Sequence, residues 1–315
     1  MKTAFAGTLK KLFDKYTTII ILLALIVLFS FFSPVFFTWT NLRNLVTQNT
    51  YYIIAAIGLA FVMIGGGIDL SVGYQMSLVG VVLGMLITVA GVPVPLALAI
   101  GFMLGAFLGA LNGALVTNIR IFPLIATLAT STVFQGISYT FSQSKTYRPF
   151  PASFRAVAMQ NIGGVPYDVI LVIVIALIAS YVLQKTYFGR YVMAVGGNEE
   201  VARLSGINTK LIKTILYGIC GFCFAIATWV MLAKSNTASS SMGPGTEFTG
   251  LTAAIIGGIS FKGGKGTIAG LVIGVFIVQI IGNGMQLAGW GVYSQYIVKG
   301  IILIMAVALD SLKNK

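Results

Sequence analysis

The chain has 315 residues, 57% hydrophobic and 9% charged, which leaves too little polar surface to cover a water-soluble globule. Its net charge of +13 comes from Lys and Arg scattered through short loops, without the clustering that nucleic-acid binding needs. It contains no His, which removes imidazole triads, the commonest general base and many metal sites.

In hydrocarbon a backbone must satisfy its own hydrogen bonds, and the long, unalternating apolar runs select helices over a barrel. The chain therefore reads as an all-α integral membrane protein with a single transmembrane domain over residues 1–315, undivided by any Pro/Ser-rich or charged linker. Residues 1–16 carry Lys2, Lys10, Lys11 and Lys15 ahead of an apolar run at 17–32, ended by Ser33 and Pro34. The run is long and no small-x-small cleavage site follows, so it reads as a retained first helix and not a signal peptide. Further spans are predicted at 51–65, 72–90, 94–117, 123–142, 167–184, 211–233, 249–260, 267–284 and 292–309, about ten in all. Starting inside, alternation places Arg120, the stretch 185–213, Lys262, Lys265, Lys313 and Lys315 on the side of the amino terminus. That agrees with the positive-inside rule and puts both termini in the cytoplasm.

Small residues recur every fourth position at Gly101, Gly105, Gly109 and Gly113, and again at Gly266, Gly270 and Gly274, which predicts close backbone packing between helices. Cys220 and Cys223 form a C-x-x-C in the middle of the seventh span, where poorly solvated thiolates make buried apolar packing the better reading. Residues 258–265 imitate a phosphate-binding loop, but Gly264 stands where the lysine must be and no Ser or Thr follows Lys265, so this chain is not expected to bind ATP. No catalytic residue and no metal site is expected.

At residues 64–73, IGGGIDLSVG, three glycines interrupt one helix, and Asp69 or Ser71 either caps the next or lines a pathway at a broken helix. Residues 256–266, IGGISFKGGKG, echo it as a second helix break. Asn49, Asn112, Gln135, Gln279 and Asn283 are polar residues inside spans, expected to face the bundle either as interhelical glue or, with Asp69 and Ser71, along a route for an uncharged, hydroxylated solute. The loop 186–213 is the longest predicted cytoplasmic connection. Within it Asn198 is placed to cap a short helix over Glu199 to Leu204, with both glutamates at the positive end of the dipole and Gly206 set to end it. Such a helix serves equally as a connector or as a docking element. The exterior loop 143–167, with Lys145, Arg148 and Arg155, is either plainly solvated or a docking surface for an acidic partner.

In order along the chain, GGIDLSVG at 66–73, LNG at 111–113, PLIATLAT at 123–130, FGR..MAVGGNEEVARLSGI at 188–207, AAIIGGISFKGGKG at 253–266 and QYIVKG near the end resemble the permease subunits of bacterial ATP-binding-cassette importers for monosaccharides, of the ribose, galactose and xylose type. The resemblance implies a vitamin-B12-importer-like (type II importer) fold and two permease copies, homodimeric in the simplest case, around one path in the bacterial inner membrane. It also implies a cytoplasmic ATPase, possibly with two fused nucleotide-binding halves, that holds the ATP and Mg, and an extracytoplasmic sugar-binding protein. By position Gly196, Gly197, Asn198, Glu199, Glu200, Ala202, Ser205 and Gly206 look like the element that couples to the ATPase. One departure is that 247–254 reads EFTGLTAA where relatives often carry ELDAIAA, so no sugar branch is assigned. A stand-alone secondary carrier or channel is the alternative, but it predicts ionisable residues within the spans, of which Asp69 is at most one.

Overall fold

The structure is a computed structural model that describes residues 18–313, so the basic segment 1–16 and Lys315 lie outside the described residues. The helices are α1 (Thr18–Phe32), α2 (Trp39–Gln48), α3 (Thr50–Ile64), α4 (Val72–Gly84, prolonged by a π-helical turn at Met85–Val89), α5 (Val94–Asn118), α6 (Pro123–Ser142) and α7 (Ala152–Met159). A two-residue hairpin pairs β1 (Asn161–Ile162) with β2 (Val165–Pro166), antiparallel. Then follow α8 (Tyr167–Lys185), α9 (Tyr187–Gly197), α10 (Glu199–Leu204), α11 (Thr209–Ser235), α12 (Thr246–Ile256), α13 (Ile268–Leu287) and α14 (Val292–Lys313).

Among the described residues, six helices are long and apolar enough to cross a membrane, namely α4 with its π turn, α5, α8, α11, α13 and α14; the α2–α3 pair, bent by 41°, makes a seventh if it is one span. The other predicted spans are all helical, but α1 and α12 are short and α6 is diluted by Thr, Ser and Gln. Some segments expected to be loops are also helices. Helix α2 was hidden by Asn41, Arg43, Asn44 and Gln48, α7 by its short length, and the loop 186–213 holds two short helices where one was expected. Helix α12 ends at Ile256 and not at 260, because Gly257 and Gly258 follow and Gly258 takes φ +86, a left-handed conformation that residues with a side chain rarely adopt.

At the centre lie α3 and α11, and nearly every residue of α3 is buried. Helix α5 packs along α11 through the predicted glycine stripe. A Cβ at Gly105 would stand 2.5 Å from the Gly221 carbonyl oxygen, and one at Gly109 2.1 Å from that of Tyr217. Gly113 abuts Thr214 in the same way, whereas Gly101 meets Leu83 of α4. A second glycine seam, Gly270 on Gly257 and Gly274 on Ala253, joins α13 to α12. Cys220 and Cys223 are free, buried thiols against Gly58 of α3. Ends are set locally: Thr38, Thr186, Asn198, Asn208 and Thr267 each accept an N–H of the helix they precede, and Asn236 ends α11 in a left-handed conformation.

Candidate functional site

Helix α10 projects at one end of the bundle. Asn198 Oδ1 accepts the Val201 N–H at 3.0 Å, and Gly206, at φ +85, turns the chain out of the helix. Glu199 and Glu200 occupy the first turn, where the dipole favours negative charge. Glu200 pairs with Arg203 at 2.5 Å, which holds its carboxyl below the ordinary glutamate range, and Glu199 pairs with Lys213 of α11. Ala202 is buried toward the bundle, while Val201 and Leu204, three residues apart, are 57% and 76% exposed. Ser205 Oγ donates to the Val201 carbonyl at 2.9 Å. The result is a short, well-capped helix that offers two uncovered apolar side chains.

Its base is a joint of five glycines from three segments. Gly196 and Gly197 at the end of α9 lie against the end of α3 and the loop between α12 and α13. A Cβ on Gly196 would stand 1.8 Å from the Ile64 carbonyl oxygen and 2.6 Å from Gly264 N. A Cβ on Gly263 would meet Gly196 O at 2.7 Å and Gly66 Cα at 2.8 Å, and one on Gly264 would meet Gly197 Cα at 2.7 Å. The Gly264 N–H donates to Ile64 O at 2.8 Å. Three backbones touch here without intervening side chains, so displacement of α9–α10 has no soft layer to absorb it. The two glycine-rich breaks noticed in the sequence thus meet each other, Gly263 and Gly264 of the second lying against Gly66 and Ile64 of the first.

A few residues beyond the joint lies Asp69, fully buried. Its Oδ1 accepts the Ser71 N–H at 2.8 Å and the Ser71 hydroxyl at 2.6 Å, and its Oδ2 faces Asn112 Nδ2 at 3.5 Å. Asn112 Nδ2 also donates to Ser71 Oγ at 2.8 Å. Tyr217 OH donates to Ile68 O at 3.0 Å, and the Leu70 N–H donates to Thr127 Oγ1 at 3.1 Å. Asp69 therefore holds the turn that opens α4, and the whole break is tied to α5, α6 and α11.

The remaining candidates do not join this cluster. Asn49 Nδ2 donates to Leu45 O at 2.5 Å within the α2–α3 bend, and Asn283 exchanges hydrogen bonds with Asn41 at 3.0 and 3.1 Å. Gln135 Nε2 donates to Tyr74 OH at 2.7 Å, bridging α6 and α4. Of the basic residues in the loop 143–167, Lys145 and Arg148 are exposed, whereas Arg155 turns back, its Nε donating to Ala233 O at 3.4 Å.

Sequence reasoning overlooked three residues. Gln75, fully buried, donates to Gly105 O at 2.8 Å. Asp168, 1% exposed, pairs with Lys234 Nζ at 2.5 Å and accepts Thr50 Oγ1 at 2.9 Å, fastening α8, α11 and α3 at the end of the bundle away from α10. Asp168 and Lys234 lie at predicted span ends, where a charge looks solvated; only their contact in the folded chain marks them as a pair.

Long apolar helices around a buried polar break, with a short capped helix rooted on that break, define an integral membrane protein of the solute-permease class. Residues 41–307 match the family described as branched-chain amino acid transport system / permease component, and the chain belongs to that family. It is 37% identical to the ribose import permease protein RbsC of Escherichia coli K12 over 94% of both chains. Identity is 35% to the D-allose transport system permease protein AlsC of the same organism, over 96% of this chain and 93% of the relative. For the galactose/methyl galactoside import permease protein MglC it is 34%, over 95% and 93%. No solved structure matches.

Proposed function

We propose that this chain is the membrane-spanning permease subunit of an ATP-driven importer that passes a monosaccharide, a pentose or hexose, into the cytoplasm. ATP and Mg are held by a separate ATPase subunit. Relatives named for ribose, D-allose and galactose support the substrate class. The observation that carries the mechanism is the exposed Val201–Leu204 face on a helix whose base at Gly196 abuts the break leading to Asp69.

In this reading the segment 186–213 lies on the cytoplasmic side and α10 seats in the ATPase. Closure of the ATPase on ATP shifts α10, and the glycine joint passes the shift to the ends of α3 and α4. A ligand-driven closure can switch a bundle only through contacts that differ between its states, and the joint supplies such contacts. The same reading has ten crossings in a vitamin-B12-importer-like arrangement, both termini cytoplasmic, and a second permease copy completing the path. An extracytoplasmic binding protein delivers the sugar. Of the basic residues on that outer loop, the exposed Lys145 and Arg148 are the ones free to meet it.

Reconstitution tests the proposal. Vesicles carrying this chain, its ATPase and its binding protein accumulate labelled sugar only with ATP. Uptake that persists without the ATPase would overturn it in favour of a stand-alone carrier.

A further inference from the structure

One carboxylate in the bundle has no part in the account above. The connection after α11 does not stay at the end of the bundle: Ala238 pairs with Tyr147, which packs on Gly84 at the end of α4. The chain then runs back along α4 until Gly243 lies on Gly73. A Cβ on Gly243 would stand 1.9 Å from Gly73 O, and the Gly243 N–H donates to Ser77 Oγ at 3.1 Å. Between Gly73 and Gly84 α4 climbs about 16 Å. Helix α12 therefore starts deep inside the bundle, with Glu247 in its first turn.

Glu247 Oε1 accepts the Gly245 N–H at 3.0 Å, while Oε2 is buried against Gly73. It rests over Gly73, where a Cβ would stand 2.6 Å away, so only glycine leaves room for it. The next residue of α4, Tyr74, holds the Gln135 amide of α6 through its hydroxyl. Tyr139, one turn further along α6, is 37% exposed. The flank of α4 between α6 and α12 thus carries a carboxylate, an amide and phenols, all only partly covered.

Facing hydrocarbon, each such group would cost several kcal/mol, so this flank faces water or a polar solute. A carboxylate takes O–H donors, the amide and phenol donate or accept, and tyrosine rings cover apolar C–H surface. A neutral polyol presents that combination. Asp69 and Ser71, by contrast, spend most of their hydrogen-bonding capacity on each other and on Asn112 Nδ2.

We propose that the α4 flank formed by Tyr74, Gln135 and Glu247 is a sugar-contact site on the transport path, with Glu247 taking the sugar's hydroxyls and setting specificity. The proposal rests on the import reading and names the contact within it. The test uses the full complex in vesicles with labelled D-ribose, D-galactose and D-allose. Glu247→Gln and Tyr74→Phe are expected to keep ATPase activity within about twofold, lower uptake per ATP about tenfold and change the ratio among the three sugars. Uptake and ratios unchanged within about twofold would overturn it. A second arm places Glu247→Cys in a Cys220→Ala/Cys223→Ala background. A membrane-impermeant maleimide is expected to label it and the transported sugar to slow the labelling; no labelling overturns the proposal even if Glu247→Gln does not assemble. Failure of the import reading would look different, since the unmodified complex would then take up none of the sugars with ATP.

Discussion

Adjacent glycines at the base of α10 should respond very differently to the same substitution. In Gly196→Ala the new methyl would start 1.8 Å from Ile64 O, and since real Cβ contacts essentially never fall below 3.0 Å, one backbone must retreat by more than an ångström. That retreat breaks the 2.8 Å hydrogen bond from Gly264 to Ile64, a loss of about 1 kcal/mol. Forcing a methyl into a packed joint adds about 1–3 kcal/mol. The sum, roughly 2–4 kcal/mol, falls on the contact between α9, α3 and the α12–α13 loop. A Cβ on Gly197 meets nothing within 4 Å, so Gly197→Ala is expected to change stability by less than about 0.5 kcal/mol. Both variants are to be purified with the ATPase and compared for thermal unfolding, ATP hydrolysis and uptake. Gly196→Ala is expected to lower the unfolding temperature and to hydrolyse ATP with little uptake, while Gly197→Ala resembles the parent. Equal behaviour of the two would refute the claim that the joint transmits the movement of α10.

Replacing Val201 and Leu204 by Glu removes the apolar anchors without touching the buried Ala202, so folding should be retained while ATPase association weakens by about thirtyfold or more in a pull-down titration. Lys234→Ala leaves the buried Asp168 charge uncompensated and is expected to cost about 3–5 kcal/mol. A double change to Asp168→Leu and Lys234→Met should recover most of that loss in thermal unfolding of the detergent-solubilised protein. Asp69→Ala leaves Ser71 N–H and Asn112 Nδ2 short of an acceptor, about 1–3 kcal/mol for each buried group, and Asp69→Asn should cost less because one oxygen remains. Full stability in Asp69→Ala, read by the same unfolding assay, would remove its capping role.

Much of this molecule is written in patterns that act over one or two turns. Composition demands a membrane, apolar runs mark helices, Asn198 and Gly206 bound α10, and glycines every fourth residue along α5 announce a close neighbour. These follow from sequence because hydrophobicity, capping and backbone freedom are local properties, and the segments at 66–73 and 188–207 also carried the family resemblance. What the pattern withheld were the partners. Gly263 and Gly264 read as a loop until they are found against Gly196 and Gly66; Lys234 and Asp168 read as two solvated span ends until their contact in the folded chain makes them a pair. Asn49 and Asn283 could have bridged helices or lined a route with Asp69, and they lie in the α2–α3 bend and against Asn41; Glu247 read only as the start of a segment that departs from a motif before the re-entry of residues 236–245 carried it deep into the bundle. Each depends on how helices far apart in the chain come to lie side by side. Packing of whole helices settles that, and a short-range pattern holds no record of it.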